Sequence, residues 1–207
     1  MTSERYRPVL RGDLSQWCGE PMAGTYHQCA GDSPDASAGR AHALARAVLE
    51  RGRASRQQAE RLVGLAEEVG LSPLAQVWGS AEPDTLPGAL WALYLLRTWC
   101  HRQGAEVADL YRTGRADAEV ADVIAGVAEL PGWEDVQTTA DAILRAAFGT
   151  DLGLALRRAA AFHRVVAAGR RVLAAAGAEP GRQARLAGGN VHCAEQLERA
   201  AGLAWDS

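Results

Sequence analysis

Apolar residues recur every three or four positions along most of the chain, and this spacing is typical of amphipathic helices. The segment 41–52 shows the pattern clearly and ends at a glycine, a common helix terminator. We therefore predict that the first helix lies in this segment. Its core-facing positions are Ala41, Leu44, Ala45, Val48 and Leu49.

Two further helices are predicted from their capping residues. Ser55, with Gln58 three residues later, is typical of a capping box, and the helix that it opens runs to Gly70. Ser72 before Pro73 is typical of a cap followed by proline at the first helical position. The residues expected to face the core are Leu62, Val63, Ala66, Val69, Leu74, Val77 and Trp78.

The segment 88–100, GALWALYLLRTWC, is apolar on every side, because ten of its thirteen residues are apolar. A helix of this kind has to be covered on all faces, so we predict that it is the central helix of the fold. His101 and Arg102 come directly after it, and cations suit the negative end of a helix dipole.

Three helices are predicted after the central one, over 105–113, 116–129 and 134–148. Acidic residues open the last of them, where they suit the positive end of the helix dipole. The apolar residues that we expect inside are Val120, Val123, Ile124, Val127, Val136, Ile143, Leu144 and Phe148.

A long helix is predicted next, capped by Thr150 and running to about residue 176. The pairs at 180–181 and 188–189, which contain proline and glycine, are expected to interrupt the chain beyond it. Asn190 is then expected to cap a last helix. The core-facing residues of the long helix are Leu152, Leu156, Phe162, Val166 and Leu173.

The composition also favours helices. Alanine is the most frequent residue, whereas β-branched and aromatic residues, which favour strands, are sparse. We predict an all-α, single-core bundle of about eight to ten helices over residues 37–207. Residues 1–36 lack periodicity and are predicted to form an irregular N-terminal strap or arm.

The net charge of −3 is small, so it does not indicate a strongly charged partner. All 22 basic residues are arginine, so a Walker-type phosphate loop, which needs lysine, is absent. No apolar stretch is long enough to span a bilayer, and no signal-peptide pattern comes after Met1. We expect a cytoplasmic protein with no membrane association.

The N-terminal segment holds one candidate metal site. Cys18, His27 and Cys29 could offer ligands to zinc, but structural zinc sites carry closely spaced ligand pairs. A disulfide between the two cysteines needs an oxidising compartment. We favour a third interpretation, in which Trp17 and Tyr26 dock the segment on the bundle. Neither a metal nor another cofactor is predicted.

Catalytic motifs are missing from the chain, including G-x-S-x-G and H-E-x-x-H. The adjacent pairs Cys100-His101 and His192-Cys193 cannot each chelate one ion, because neighbouring side chains on a helix diverge. His192 and Glu195 supply only one reversed half of a di-iron pattern. No catalytic residue is predicted, and we lean against an enzyme.

The central helix carries a candidate site for a small apolar or aromatic molecule. Trp91, Tyr94 and Trp99 could line a cavity, and His163 on the long helix could contact a ligand. The alternative for His163 is a half-buried residue whose nitrogen atoms are satisfied by a neighbour.

Arginines and acids are segregated along the chain. Residues 157–185 hold seven arginines against one glutamate, whereas the charged residues of 104–142 are mainly acidic. Arg157, Arg164 and Arg171 recur every seven residues on one helix stripe and are candidate anion-binding residues. We favour the alternative, in which this stripe is solvated and pairs with the acids inside a monomer or across a dimer.

Residues 55–78, SRQQAERLVGLAEEVGLSPLAQVW, resemble a helix-turn-helix, with Ala66 and Gly70 as its packing alanine and turn glycine. Together with the preceding ALARAVLERG they are similar to the N-terminal part of TetR-family repressors. The resemblance implies an all-α fold, DNA binding and an apolar ligand cavity in the C-terminal bundle. Pro73 and Leu74 replace the polar residues expected to face bases, and the helix in the position of the recognition helix lacks arginine.

The sequence therefore predicts a non-catalytic helical binding or regulatory protein that acts through contacts with another protein or with itself, for example as a homodimer. The first alternative is a ligand-responsive DNA-binding regulator, although nucleic acid is not the favoured partner. The second alternative is a bundle that binds a small molecule, or an enzyme of unrecognised type.

Overall fold

The computed structural model describes residues 34–116, 132–149 and 151–203. Within these ranges the chain forms nine helices and no strand, so the predicted all-α bundle is confirmed. The helices are α1 (Pro34–Ala54), α2 (Arg56–Val63), α3 (Leu65–Glu68), α4 (Leu71–Trp78), α5 (Leu86–Arg102), α6 (Gly104–Arg115), α7 (Trp133–Ala147), α8 (Leu152–Ala175) and α9 (Pro180–Ala201).

Two helices form the centre of the bundle. The prediction that α5 is buried on all sides is confirmed, since every residue from Leu93 to Cys100 is buried. α8 is buried to the same extent in its middle turns, from Phe162 to Arg170 apart from Arg164. It lies against α5, α6, α7 and α9, and α9 packs along its length. Polar residues interrupt the apolar sequence of α8, so the sequence does not identify it as a second central helix.

The backbones of α6 and α8 are in direct contact where the two helices cross. A Cβ atom on Gly114 would clash with the carbonyl oxygen of Val165. In the same way, a Cβ atom on Gly169 would clash with the carbonyl oxygen of Leu110. Any larger residue at either glycine would push the helices apart, so both positions require glycine.

α1 begins earlier than predicted, at Pro34, so residues 34–36 are helical and do not belong to an irregular strap. Proline suits the first turn of a helix, because the N–H group that it lacks would have no helical partner there. Asp35 adds a negative charge at the positive end of the helix dipole.

The capping prediction is confirmed for α2 and wrong for α4. The Ser55 hydroxyl accepts a hydrogen bond from the Gln58 amide at 3.2 Å. α4 begins at Leu71, after Gly70 with a φ of 83°, so Ser72 lies inside the helix and does not cap it. A positive φ is readily adopted by glycine, which explains why the chain turns at this residue.

The helix predicted over 55–70 is divided at Gly64 into α2 and α3. The break turns the later residues away from the direction that a continuous helix would give them. Val69 and Val77, which follow the break and were predicted to face the core, are instead exposed by 46% and 37%. Leu44 of α1, also predicted to face the core, is 43% exposed. The other predicted core residues of α2, α3 and α4 are buried.

The C-terminal half differs from the prediction at two places. Asp151 caps α8 in place of Thr150, and its carboxylate accepts from the Leu154 amide at 2.7 Å. α9 runs without interruption through the glycine pair at 188–189. Asn190 is therefore not a cap: it lies in the middle of the helix and is fully buried. Packing of α9 on α8 outweighs the low helix propensity of the glycines.

The predicted buried positions of α7 are confirmed for Val136, Ile143, Leu144 and Phe148. Most of the helix predicted over 116–129 lies outside the described residues. The same holds for the N-terminal segment with Trp17, Cys18, Tyr26, His27 and Cys29.

Candidate functional site

The candidate ligand-binding residues of α5 lie inside the bundle. Trp91, Tyr94 and Trp99 are all buried. The Tyr94 hydroxyl donates to the Leu62 carbonyl oxygen at 2.7 Å, and its ring stacks on Trp78 with 6.1 Å between ring centres. Burial raises the pKa of Tyr94, so its hydroxyl stays protonated as a donor. Tyr94 thus ties α5 to α2 and α4.

Trp99 and His163 are brought together by α5 and α8. Their rings stack with 5.9 Å between centres and 15° between planes. The Trp99 indole N–H donates to the Gln103 side-chain oxygen at 2.8 Å. In the part of the chain that is described, no ring contact joins this pair to Trp91 or Tyr94. The four candidates therefore do not share one ring cluster.

A buried arginine lies beside the Trp99–His163 stack. Arg170 is fully buried, its Nε donates to Asn190 Oδ1 at 3.2 Å, and its Nη1 donates to Gln183 Oε1 at 3.1 Å. Its guanidinium carbon is 6.0 Å from the centre of the Trp99 ring. Glu106 of α6 reaches within 3.7 Å of Nη2. We name as the Arg170 cluster Arg170, Gln183, Asn190, His163 and Trp99.

The direction of these hydrogen bonds fixes the state of His163. A guanidinium can only donate, so Asn190 turns its oxygen to Arg170 and its Nδ2 to His163 Nδ1, at 3.1 Å. Nδ1 therefore accepts, and the proton of the neutral ring sits on Nε2. Burial lowers the pKa of His163 to about 4, so the ring is neutral at pH 7.

Arg97 of α5 is buried between two carboxylates. Its Nε donates to Asp141 Oδ1 of α7 at 2.6 Å, and its Nη2 is 3.1 Å from Glu67 Oε1 beside it on α3. His101, one turn later, lies 2.8 Å from the same Asp141 oxygen and 3.5 Å from the same Glu67 oxygen. We name these four residues the Arg97 cluster. It reaches the surface, since the Glu67 side chain is 57% exposed.

Neither cluster has the layout of a metal or nucleophile site. Over residues 34–116, 132–149 and 151–203, no three His, Cys, Asp or Glu side chains are placed to hold a metal ion. Cys100 and Cys193 are buried thiols, and burial raises the pKa of Cys100, which disfavours the reactive thiolate. What both clusters do chemically is hold helices together by charge-assisted hydrogen bonds.

The candidate anion-binding arginines do not form one free stripe. Arg164 makes two parallel hydrogen bonds to Glu198 of α9, at 2.7 and 2.6 Å, and these bonds lower the pKa of Glu198. Arg157 lies 3.7 Å from an Asp151 oxygen. Arg171 is exposed. Two of the three arginines thus pair with carboxylates of their own chain.

The helix that would read DNA in a helix-turn-helix is α4. Its exposed residues include Pro73, Gln76 and Val77, and it contains no basic residue. Its opposite side is anchored in the core, where the Trp78 indole N–H donates to the Ala41 carbonyl oxygen at 3.2 Å. The surface of α4 therefore offers no cation to a phosphate.

Sequence reasoning missed most residues of the two clusters. Arg97 had a usable signal, because an arginine inside an apolar helix needs a polar or anionic partner. Arg170 also had one, since it lies seven residues after His163 and shares its side of α8. Gln183 and Asn190 had none, because only the packing of α9 on α8 reveals that these amides are buried.

No protein-family model matches the chain, and no curated protein or solved structure matches it. The fold and the two clusters define a structural class only: an all-α bundle in which buried arginines of two central helices hydrogen-bond to side chains of neighbouring helices. None of its described helices is long and apolar enough to cross a membrane.

Proposed function

We propose that the protein is a non-catalytic binding protein that acts through protein–protein contacts, and that a second copy of the same chain is one partner. The supporting observation is that polar groups of the interior already form hydrogen bonds inside the bundle. Tyr94, Trp99 and His163 each bond to groups of the same chain. Side chains engaged in internal hydrogen bonds contribute to the fold, so recognition falls to the exterior.

The exterior carries groups suited to a protein partner. Trp133 is 50% exposed at the start of α7, and tryptophan is among the residues enriched in protein interfaces. Exposed arginines and acids are interspersed on α9, and such mixed charge suits a protein surface better than a polyanion.

The DNA-binding alternative makes a distinct prediction. Any duplex binding should be strongest at low salt and fall steeply as salt rises. The exposed side of α4 supplies no positive charge for it, so we expect no retardation of duplex fragments in a mobility-shift assay at low salt.

Sedimentation equilibrium of the purified full chain tests the proposal. Over a range of roughly 10 μM to 1 mM at low salt, we expect the weight-average mass to rise from 22.0 kDa towards twice that value. A mass that stays at 22.0 kDa over the whole range contradicts self-association.

A further inference from the structure

α9 has an outer face that no described helix covers. Its inner face packs on α8, while on the opposite side the exposed positions alternate in steps of four and three residues. Every straight stripe along an α-helix has this spacing, and here the stripe is the centre of the solvent-exposed side, which Arg182, Ala184 and Glu198 flank. The positions of this outer face are Gly181, Arg185, Gly188, His192, Glu195 and Arg199.

The glycine in the middle of this face has no packing role among the described residues. A Cβ atom on Gly188 would meet no atom within 4 Å, and the residue is exposed. Glycine in the interior of a helix is destabilising relative to alanine. A small residue at this place is useful where a second surface approaches closely.

Three charges of the outer face, Arg185, Glu195 and Arg199, lack a close partner among the described residues. Arg185 and Glu195 are exposed and make no hydrogen bond or ion pair there, although Glu195 attracts Arg164 through space. Arg164 itself forms its two-bond pair with Glu198. Arg185 and Glu195 have opposite sign, so the face carries both halves of an ion pair.

We propose that the outer face of α9 pairs antiparallel with the same face of a second copy, an inference that rests on the proposed function. The twofold axis passes between residues 188 and 192, level with residue 190. The axis sets Arg185 opposite Glu195 of the other copy, and symmetry repeats the pair. His192 then lies over Gly188, and Arg199 lies over Gly181. Opposite charges meet in two symmetry-related layers, and a large residue meets a glycine in the other four, so the face complements itself.

The polar character of this seam predicts how the dimer behaves. Surface ion pairs contribute modestly, so the dissociation constant should lie at about 0.1 mM, in the middle of the tested range on a logarithmic scale. Raising the salt from about 50 mM to about 500 mM should weaken the dimer severalfold, because exposed charges are screened.

Charge reversal tests the pairing by sedimentation equilibrium of the full chain. Arg185→Glu turns two attractions into two repulsions, and we expect dimerisation to weaken at least about tenfold. The matched control is Arg158→Glu, which changes the net charge equally at an exposed arginine of α8. It should leave the dimer unchanged. Arg185→Glu combined with Glu195→Arg exchanges the two charges and should restore the wild-type constant to within about threefold.

The outcomes separate the two proposals. A wild-type dimer that Arg185→Glu leaves intact overturns the α9 seam and leaves self-association standing. Equal weakening by Arg185→Glu and Arg158→Glu also overturns the seam, because net charge would then explain both. If the exchanged pair fails to restore the dimer while its circular dichroism matches the wild type, the pairing is wrong. A wild-type chain that never dimerises contradicts the proposed function itself.

Discussion

The two buried arginines Arg97 and Arg170 are satisfied in different ways. Arg97 meets the carboxylates of Asp141 and Glu67, and both of these side chains are partly exposed to solvent. Arg170 donates hydrogen bonds to the amides of Asn190 and Gln183, which are buried with it, while the Glu106 carboxylate stays farther away, at 3.7 Å. One cluster therefore lies at the rim of the bundle, and the other lies at its centre.

The difference decides what happens when a partner is lost. A carboxylate at the rim can turn to water, so it keeps most of its solvation when its arginine is removed. A buried amide oxygen has no such alternative and bears the full cost of an unmade hydrogen bond. The comparison therefore predicts unequal losses of stability when each arginine is replaced.

Replacing the central arginine should have the largest effect. Arg170→Met keeps the apolar stem but strands the oxygens of Asn190 and Gln183, so we expect the free energy of unfolding to fall by about 3 kcal/mol. Urea unfolding followed by circular dichroism measures this. A second variant that also carries Gln183→Leu should recover part of the loss, because it removes one stranded oxygen and leaves the bond from Asn190 to His163 in place. A loss below about 1 kcal/mol in the single variant contradicts the assignment.

Acid should weaken the Arg170 cluster through His163. The pKa of this histidine is about 4 in the folded chain against an ordinary value of 6.5, so the unfolded state takes up a proton first as the pH falls. The stabilising contribution is complete above about pH 6.5 and is lost progressively towards about pH 4, on the order of 3 kcal/mol in all. Urea unfolding at several pH values should show this slope in the wild type and lack it in His163→Gln. Equal slopes would contradict the burial of this ring.

Replacing the rim arginine should cost less. Arg97→Met leaves Asp141 and Glu67 close to water, so we expect a loss of about 1–2 kcal/mol in the same urea experiment. Arg145→Met, which removes an exposed pair with Glu60, is the control and should change stability less than Arg97→Met. If Arg97→Met is as damaging as Arg170→Met, the contrast between rim and centre is wrong.

The smallest expected effect is a gain. The Thr98 hydroxyl, next to Arg97 on α5, is buried and has no hydrogen-bond partner among the described residues. Thr98→Val replaces it with a methyl group of similar size and should raise the free energy of unfolding by up to about 1 kcal/mol. Thr98→Ser keeps the hydroxyl and removes the methyl group, so it should destabilise. Destabilisation by valine would mean that the hydroxyl does have a partner.

Sequence alone predicts the features that depend on neighbouring residues. The apolar run of α5 requires burial on all sides whatever packs on it, and the Ser55 cap needs only Gln58. The acids in the first turn of α7 likewise act locally, because they interact with the positive end of their own helix dipole. The sequence predicts these elements correctly because the residues that determine them lie within one or two helical turns of each other.

The residues that escaped prediction depend on long-range packing. Asn190 comes after two glycines, a pattern that locally favours a helix start, yet α8 holds α9 as one continuous helix and buries the amide. Asp141 lies 44 residues beyond Arg97, and only the packing of α7 on α5 brings the two together. Of the Arg170 cluster, the sequence singled out Trp99 and His163, and their contact with a ligand stays a prediction.

We propose that recognition falls to the surface, because the described aromatic and polar side chains of the interior are buried and bonded within the chain. A pH titration of the ¹⁵N resonances of the His163 ring tests it most directly. We expect a pKa of about 4 for His163, with the proton of the neutral ring on Nε2. A pKa near the ordinary value of about 6.5, or a neutral ring protonated on Nδ1, would contradict it.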